Sequence, residues 1–99
     1  MSSAASGTQT SNRCFSSIAD GDRIEFSRLY DQYAADTFGQ CSAWSATSED
    51  SSAAMVEVWL FLWSNAATLA DDRRSTSEIV RASANAVIQG RVMRKLLVS

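Results

Sequence analysis

Apolar and polar positions alternate along this chain at intervals of three and four residues, and those intervals predict three helices. The first stripe runs through Phe26, Leu29, Tyr30, Tyr33, Thr37, Phe38, Cys41 and Trp44, one face of an amphipathic helix about twenty residues long. Asp20-Gly21-Asp22 stands just before it. The glycine ends a short apolar turn around Phe15, Ile18 and Ala19, and Asp22 can accept from the free amides of the helix that follows. Residues 45–50 (SATSED) interrupt the pattern, and Thr47 or Ser48 followed by acids is an N-terminal cap for a second helix reaching about Ala67. Its core face is expected at Met55, Val58, Trp59, Leu62, Trp63 and Ala66, with Trp59 and Trp63 filling the core. Val56, Leu60 and Phe61 leave apolar groups on the other sides as well. A helix apolar almost all round must be covered on more than one face.

A charged loop, residues 68–76 (TLADDRRST), leads to a third helix capped by Ser75 or Thr76 and reaching about Leu97. Its weaker stripe is Ile79, Ser83, Ala86, Gly90, Met93 and Leu97, with Val80 and Val87 beside it. Gly90 costs about 1 kcal/mol relative to alanine in a helix interior, which makes the end beyond it the weakest part of this helix. Residues 1–16 are small and polar and cannot offset their ordering entropy by burial. They are expected to form a disordered tail, with one helical domain over residues 17–99. No strand-like alternation occurs, and the fold class expected is an all-α three-helix bundle with a short extra N-terminal turn.

Composition narrows the chemistry. The chain has 99 residues, 45% of them hydrophobic, with no proline and no histidine. This is enough for one core and no more. Cys14 and Cys41 lack the spacing of a metal or redox pair, so neither a metal nor another cofactor is expected, and both thiols are expected reduced in a cytoplasmic protein. Cys41 lies on the apolar stripe as a small buried hydrophobe, and Cys14 falls in the tail without a role. The longest apolar run, residues 58–63, is too short to span a bilayer, so no membrane partner is expected. With no histidine, glycine-rich phosphate loop or nucleophile beside a base, the chain is not expected to be an enzyme. Asp71 and Asp72 are adjacent acids in a polar loop and are read as solvated.

Charge is unevenly placed. Residues 1–78 sum to −6, whereas residues 79–99 carry Arg81, Arg91, Arg94 and Lys95 and no acid, a sum of +4. Such a segment can follow a phosphate backbone, or it can be a solvated face whose cations favour their own helix C-terminus.

Two consecutive blocks resemble the second conserved region of bacterial sigma factors, in particular the extracytoplasmic-function group. A family pattern Gly-Asp-x-x-x-Phe-x-x-Leu-Tyr-Asp-x-Tyr is matched from Gly21 through Phe26, Leu29, Tyr30 and Asp31 to Tyr33. An acidic pair leading into Gln-Glu-Val-Phe-Leu-Arg-Leu-Trp is matched by Glu49 and Asp50 leading into Val56, Glu57, Val58, Trp59, Leu60, Phe61, Leu62 and Trp63. The third block is only faintly echoed: residues 69–75 stand for its loop and Asn85 for its asparagine, while Glu78 or Ile79 occupies a tryptophan position and Ala84 an arginine position. The chain stops at Ser99, which leaves no room for the separate helix-turn-helix domain of complete sigma factors.

The resemblance implies a transcription-initiation protein that docks on the beta-prime clamp helices of core RNA polymerase through Asp50, Val56, Glu57, Leu60 and Phe61. It also implies contact with the minus-ten promoter element through Arg73, Arg74, Arg81, Asn85, Arg91, Arg94 and Lys95. No aromatic residue follows Trp63, so stacking of flipped bases should be weak even where phosphate contacts persist. Glu57 is either solvent-facing or a partner contact. The alternative is an interaction module that does not read DNA and that binds a partner such as an anti-sigma protein, or pairs with itself through Val56, Leu60 and Phe61.

Overall fold

The computed structural model describes residues 12–98. Five helices follow in order: α1 (Arg13–Ala19), α2 (Arg23–Ala43), α3 (Ser48–Ser64), α4 (Ala66–Leu69) and α5 (Thr76–Val98). Among the described residues there is no strand. The three long helices are those expected from the spacing, and local chemistry sets their ends.

Gly21 takes φ 93°, the left-handed conformation that side-chain-bearing residues avoid, and this turns the chain out of α1. Asp22 Oδ1 then accepts from the Glu25 amide at 3.0 Å. Thr47 Oγ1 accepts from the Asp50 amide at 3.1 Å, with Glu49 and Asp50 in the first turn where the helix dipole favours acids. At α5 the Ser75 hydroxyl accepts from the Glu78 amide and the Glu78 carboxylate accepts from the Ser75 amide, a reciprocal capping box. That acceptance holds the Glu78 carboxyl below its ordinary range.

α3 is the central element and packs against α2, α5 and α4, while α1 lies across α4 and α2. Val58, Leu62, Ile79, Phe15 and Cys41 are fully enclosed in the resulting core. Four expectations change. The boundary of the expected tail moves: α1 begins at Arg13, Phe15 is fully buried, and the Asn12 amide donates to the Ala70 carbonyl at 2.7 Å. Residues 1–11 lie outside the described residues. Cys14 is half-buried against the core, and burial together with the nearby Glu25 carboxylate pushes its thiol up to about 11.

The second helix ends at Ser64, where the backbone and side-chain amides of the C-cap residue Asn65 both donate to the Phe61 carbonyl at 2.9 Å. The separate turn α4 follows. The buried stripe of α5 is rotated from the one expected: Ile79, Val80, Ser83, Ala84, Val87 and Ile88 are buried, and Ala86, Gly90, Met93 and Leu97 face outward. Alanines at 84 and 86 are equivalent as residues, so only the larger neighbours Val80 and Ile88 could have fixed the rotation. Past Gly90, α5 continues to Val98, close to the end expected for it near Leu97. Finally, Tyr30, Phe38, Trp44 and Trp63 are exposed although each was expected in the core.

Candidate protein-docking face and its charged flank

Four aromatic residues of α2 and α3, the half-buried or exposed Phe26, Tyr30 and Trp63 and the buried Trp59, meet in one place. The Phe26 and Trp63 rings stand edge to face with centroids 5.0 Å apart, Phe26 and Trp59 at 6.0 Å, and Tyr30 and Trp59 at 5.1 Å. Such edge contacts are the favoured geometry for aromatic pairs. They pin the walls of an open groove of about 600 Å³, to which α2 contributes Arg23, Phe26, Ser27 and Tyr30, and α3 contributes Met55, Val56, Trp59, Leu60 and Trp63. Arg23 is the one charged side chain on this lining. The buried indole N–H of Trp59 has no hydrogen-bond partner among the described residues, a cost that native structures rarely leave in place.

The implied polymerase-binding residues divide over two stripes of α3. Val56 and Leu60, four residues apart, share the groove face. Asp50, Glu57 and Phe61, spaced by seven and four, share the adjacent face. Val56, Leu60 and Phe61 are all exposed as expected, but Phe61 belongs to the second stripe and the other two to the first.

Acids on that second stripe are already occupied by α5. Glu57 Oε1 accepts from Arg91 Nη1 at 3.0 Å and its Oε2 from Arg94 Nη2 at 3.3 Å. Asp50 Oδ2 accepts from Lys95 Nζ at 3.0 Å, and this donation holds the Asp50 carboxyl below its ordinary range. Residues assigned to polymerase and residues assigned to DNA are therefore paired with each other. Each pair is solvent-accessible and contributes little by itself. Together they fasten the C-terminal half of α5 to α3.

The remaining implied DNA contacts do not form one strip. Arg74 makes a close pair with Asp72, Nη2 to Oδ2 at 2.7 Å. The Arg74 guanidinium and amide hold the Asp72 carboxyl down to about 2, and the carboxylate in turn raises the Arg74 guanidinium. Asn85 accepts from Gln40 Nε2 at 3.0 Å, and the same nitrogen donates to the Arg81 carbonyl at 3.0 Å, so Arg81 and Asn85 border α2 whereas Arg91, Arg94 and Lys95 turn to α3. Arg73 and Arg81 have no ion pair among the described residues.

Sequence spacing gave Val56 and Leu60 but missed Arg23, Phe26, Tyr30 and Trp63 as members of the same face. Their signal was the excess of large side chains on α2 and α3 over what one interface between two helices can enclose. Among the described residues no group of three or more Cys, Asp or Glu could hold a metal ion, and no helix is long and apolar enough to cross a membrane. Compared with protein-family models, with curated proteins and with solved structures, this chain matches none.

Proposed function

We propose that this protein is a helical docking domain of the sigma-factor region 2 type, acting in transcription initiation in the cytoplasm by binding core RNA polymerase through α3. The observation that carries the reading is the outer face of α3, where Val56, Leu60 and Trp63 stand exposed on a helix whose inner face already fills the core. Contiguous apolar surface of this kind marks an interaction site. A groove between two helices accepts a third helix along its apolar face, and the resemblance supplies the clamp helices of the beta-prime subunit as that partner.

Retention of purified core polymerase on the immobilised protein tests the reading. The parent should retain polymerase and Leu60→Asp should lose it with helix content unchanged, because position 60 is exposed and a carboxylate there is desolvated only on docking. A parent that retains no polymerase overturns the reading.

A second reading is favoured by the ion pairs. With Arg91, Arg94 and Lys95 engaged by Glu57 and Asp50, and Arg74 by Asp72, the phosphate path implied by the resemblance is largely neutralised within the domain. The domain then acts as an interaction module that reads no promoter, with an anti-sigma protein among the partners its face could take. Binding to a minus-ten-like single strand should be weak, lost between low and physiological salt, and equal for a scrambled strand. A sequence preference that survives high salt would overturn this second reading.

A further inference from the structure

We propose that two copies of this chain pair through the α2–α3 face about a two-fold axis, with Arg23 of each copy set against Glu49 of the other. The inference goes beyond polymerase docking and does not need it, since it rests only on the shape and charge of the face.

The ring contacts of Phe26 with Trp63 and of Tyr30 with Trp59 set α2 and α3 antiparallel, so Arg23 lies one turn past the Trp63 end of the groove. Along α3 the outward stripe reads Glu49, Val56, Leu60 and Trp63, with steps of seven, four and three residues, and all four side chains are exposed. The face therefore has a cation at one end, an anion at the other and apolar side chains between them.

A two-fold contact turns such a face end for end on itself. With the axis at the level of Val58, midway between Val56 and Leu60, Glu49 stands nine residues away, about 13.5 Å along the helix. Trp63 stands five residues away on the other side, and Arg23 is three residues of α2 beyond it, about 12 Å from the axis in total. The two charges thus come level along the dimer, with one interhelical spacing of about 8–10 Å between their helix axes, a span that the long Arg23 and Glu49 side chains cover. The same operation sets Trp63 against Ala53 and Ser52, small exposed residues that leave room for an indole ring. Like charges would meet in a parallel arrangement, which disfavours it.

If the docking reading also holds, self-pairing and partner binding compete for one surface. Sedimentation of the protein alone, over a concentration series, tests the pairing independently of polymerase. The parent should show a monomer–dimer equilibrium, and Leu60→Asp should be monomeric. Arg23→Glu and Glu49→Arg should each weaken the dimer at least tenfold, because each homodimer then places two like-charge pairs together. An equimolar mixture of these two variants should recover dimer to within a few-fold of the parent, since the mixed dimer has opposite charges at both contacts. The neutral variants Arg23→Gln and Glu49→Gln should weaken the dimer less, and their mixture should recover only in part, because the mixed dimer regains one of the two opposite-charge contacts. A parent that stays monomeric, charge variants that dimerise like the parent, or a mixture that stays monomeric would overturn the proposal. Circular dichroism accompanies each variant, and the neutral pair keeps the test decisive if a charge reversal disturbs a helix end.

Discussion

Leu60 and Leu62 lie two residues apart on α3, and their fates differ completely: Leu62 is 0% exposed and Leu60 is 59% exposed. Trp59 at 6% and Trp63 at 36% differ less, since one turn leaves both rings on the groove beside Phe26. Residue type cannot separate the two leucines, because an α-helix turns successive positions by about 100° and carries residues two apart to nearly opposite sides. The inner member is held by the core of this chain. The outer member has surface to bury only in a second molecule. The comparison teaches that α3 carries two apolar faces, one enclosed in the core and one left exposed, and that substitutions can separate them.

The largest effects should fall on the inner face. Trp59→Ala should destabilise the fold by about 3–5 kcal/mol and Leu62→Ala by about 2–5 kcal/mol, through lost burial and the cavity left behind. Trp63→Ala removes one edge contact with Phe26 and a ring already in partial contact with water, and should cost about 1–2 kcal/mol. Chemical denaturation monitored by circular dichroism measures all three. A Trp63→Ala cost equal to that of Trp59→Ala would erase the distinction between the faces.

On the outer face the order reverses. Leu60→Ala should change folding stability by less than about 0.5 kcal/mol, as exposed substitutions usually do, while weakening whatever association uses the groove. A Leu60→Ala variant that binds and pairs like the parent but unfolds as readily as Leu62→Ala would break the comparison outright.

Much of this architecture is legible from residue order alone. The caps at Asp22, Thr47 and Ser75 are short-range chemistry, fixed within three residues, and the three long helices follow from them and from the three-and-four spacing. What spacing could not supply was the rotation of each helix about its axis. For α5 the side chains are small, and Ala84, Ala86 and Ser83 weigh almost equally on any face, so the packing of Val80 and Ile88 against α2 and α3 decided the matter. For α3 the difficulty was the opposite: every face was apolar, and only the position of α2 shows which leucine is inside. The pairing of Glu57 with Arg91 and Arg94 lies 34 and 37 residues apart in sequence and depends on that same rotation. Reading the two groups as contacts for separate ligands missed that they reach each other.

The smallest predicted effects concern the charged flank and the loop that leads into α5, where acids are exposed and their contributions correspondingly modest. Asp50 beside Lys95, Glu78 at the Ser75 cap and Asp72 beside Arg74 all have carboxyls held below their ordinary range. A depressed folded-state pKa means that the folded protein releases its protons more readily than the unfolded chain, so these groups stabilise the fold at neutral pH. Their contribution is complete above the unfolded carboxylate value, near 4, and is lost as pH falls through the folded value, which for Asp72 is about 2. Thermal unfolding should therefore be nearly flat in pH from 7 to about 5, then decline between about 4 and 2. Asp72→Asn should lower the melting temperature slightly at pH 7 and flatten part of the decline below pH 4, because the variant has no proton to take up at that site. The inner-face variants should keep the full acid slope while losing stability at every pH. An Asp72→Asn protein with the parent's acid slope would show that the Asp72 and Arg74 pair does not steady the entry to α5.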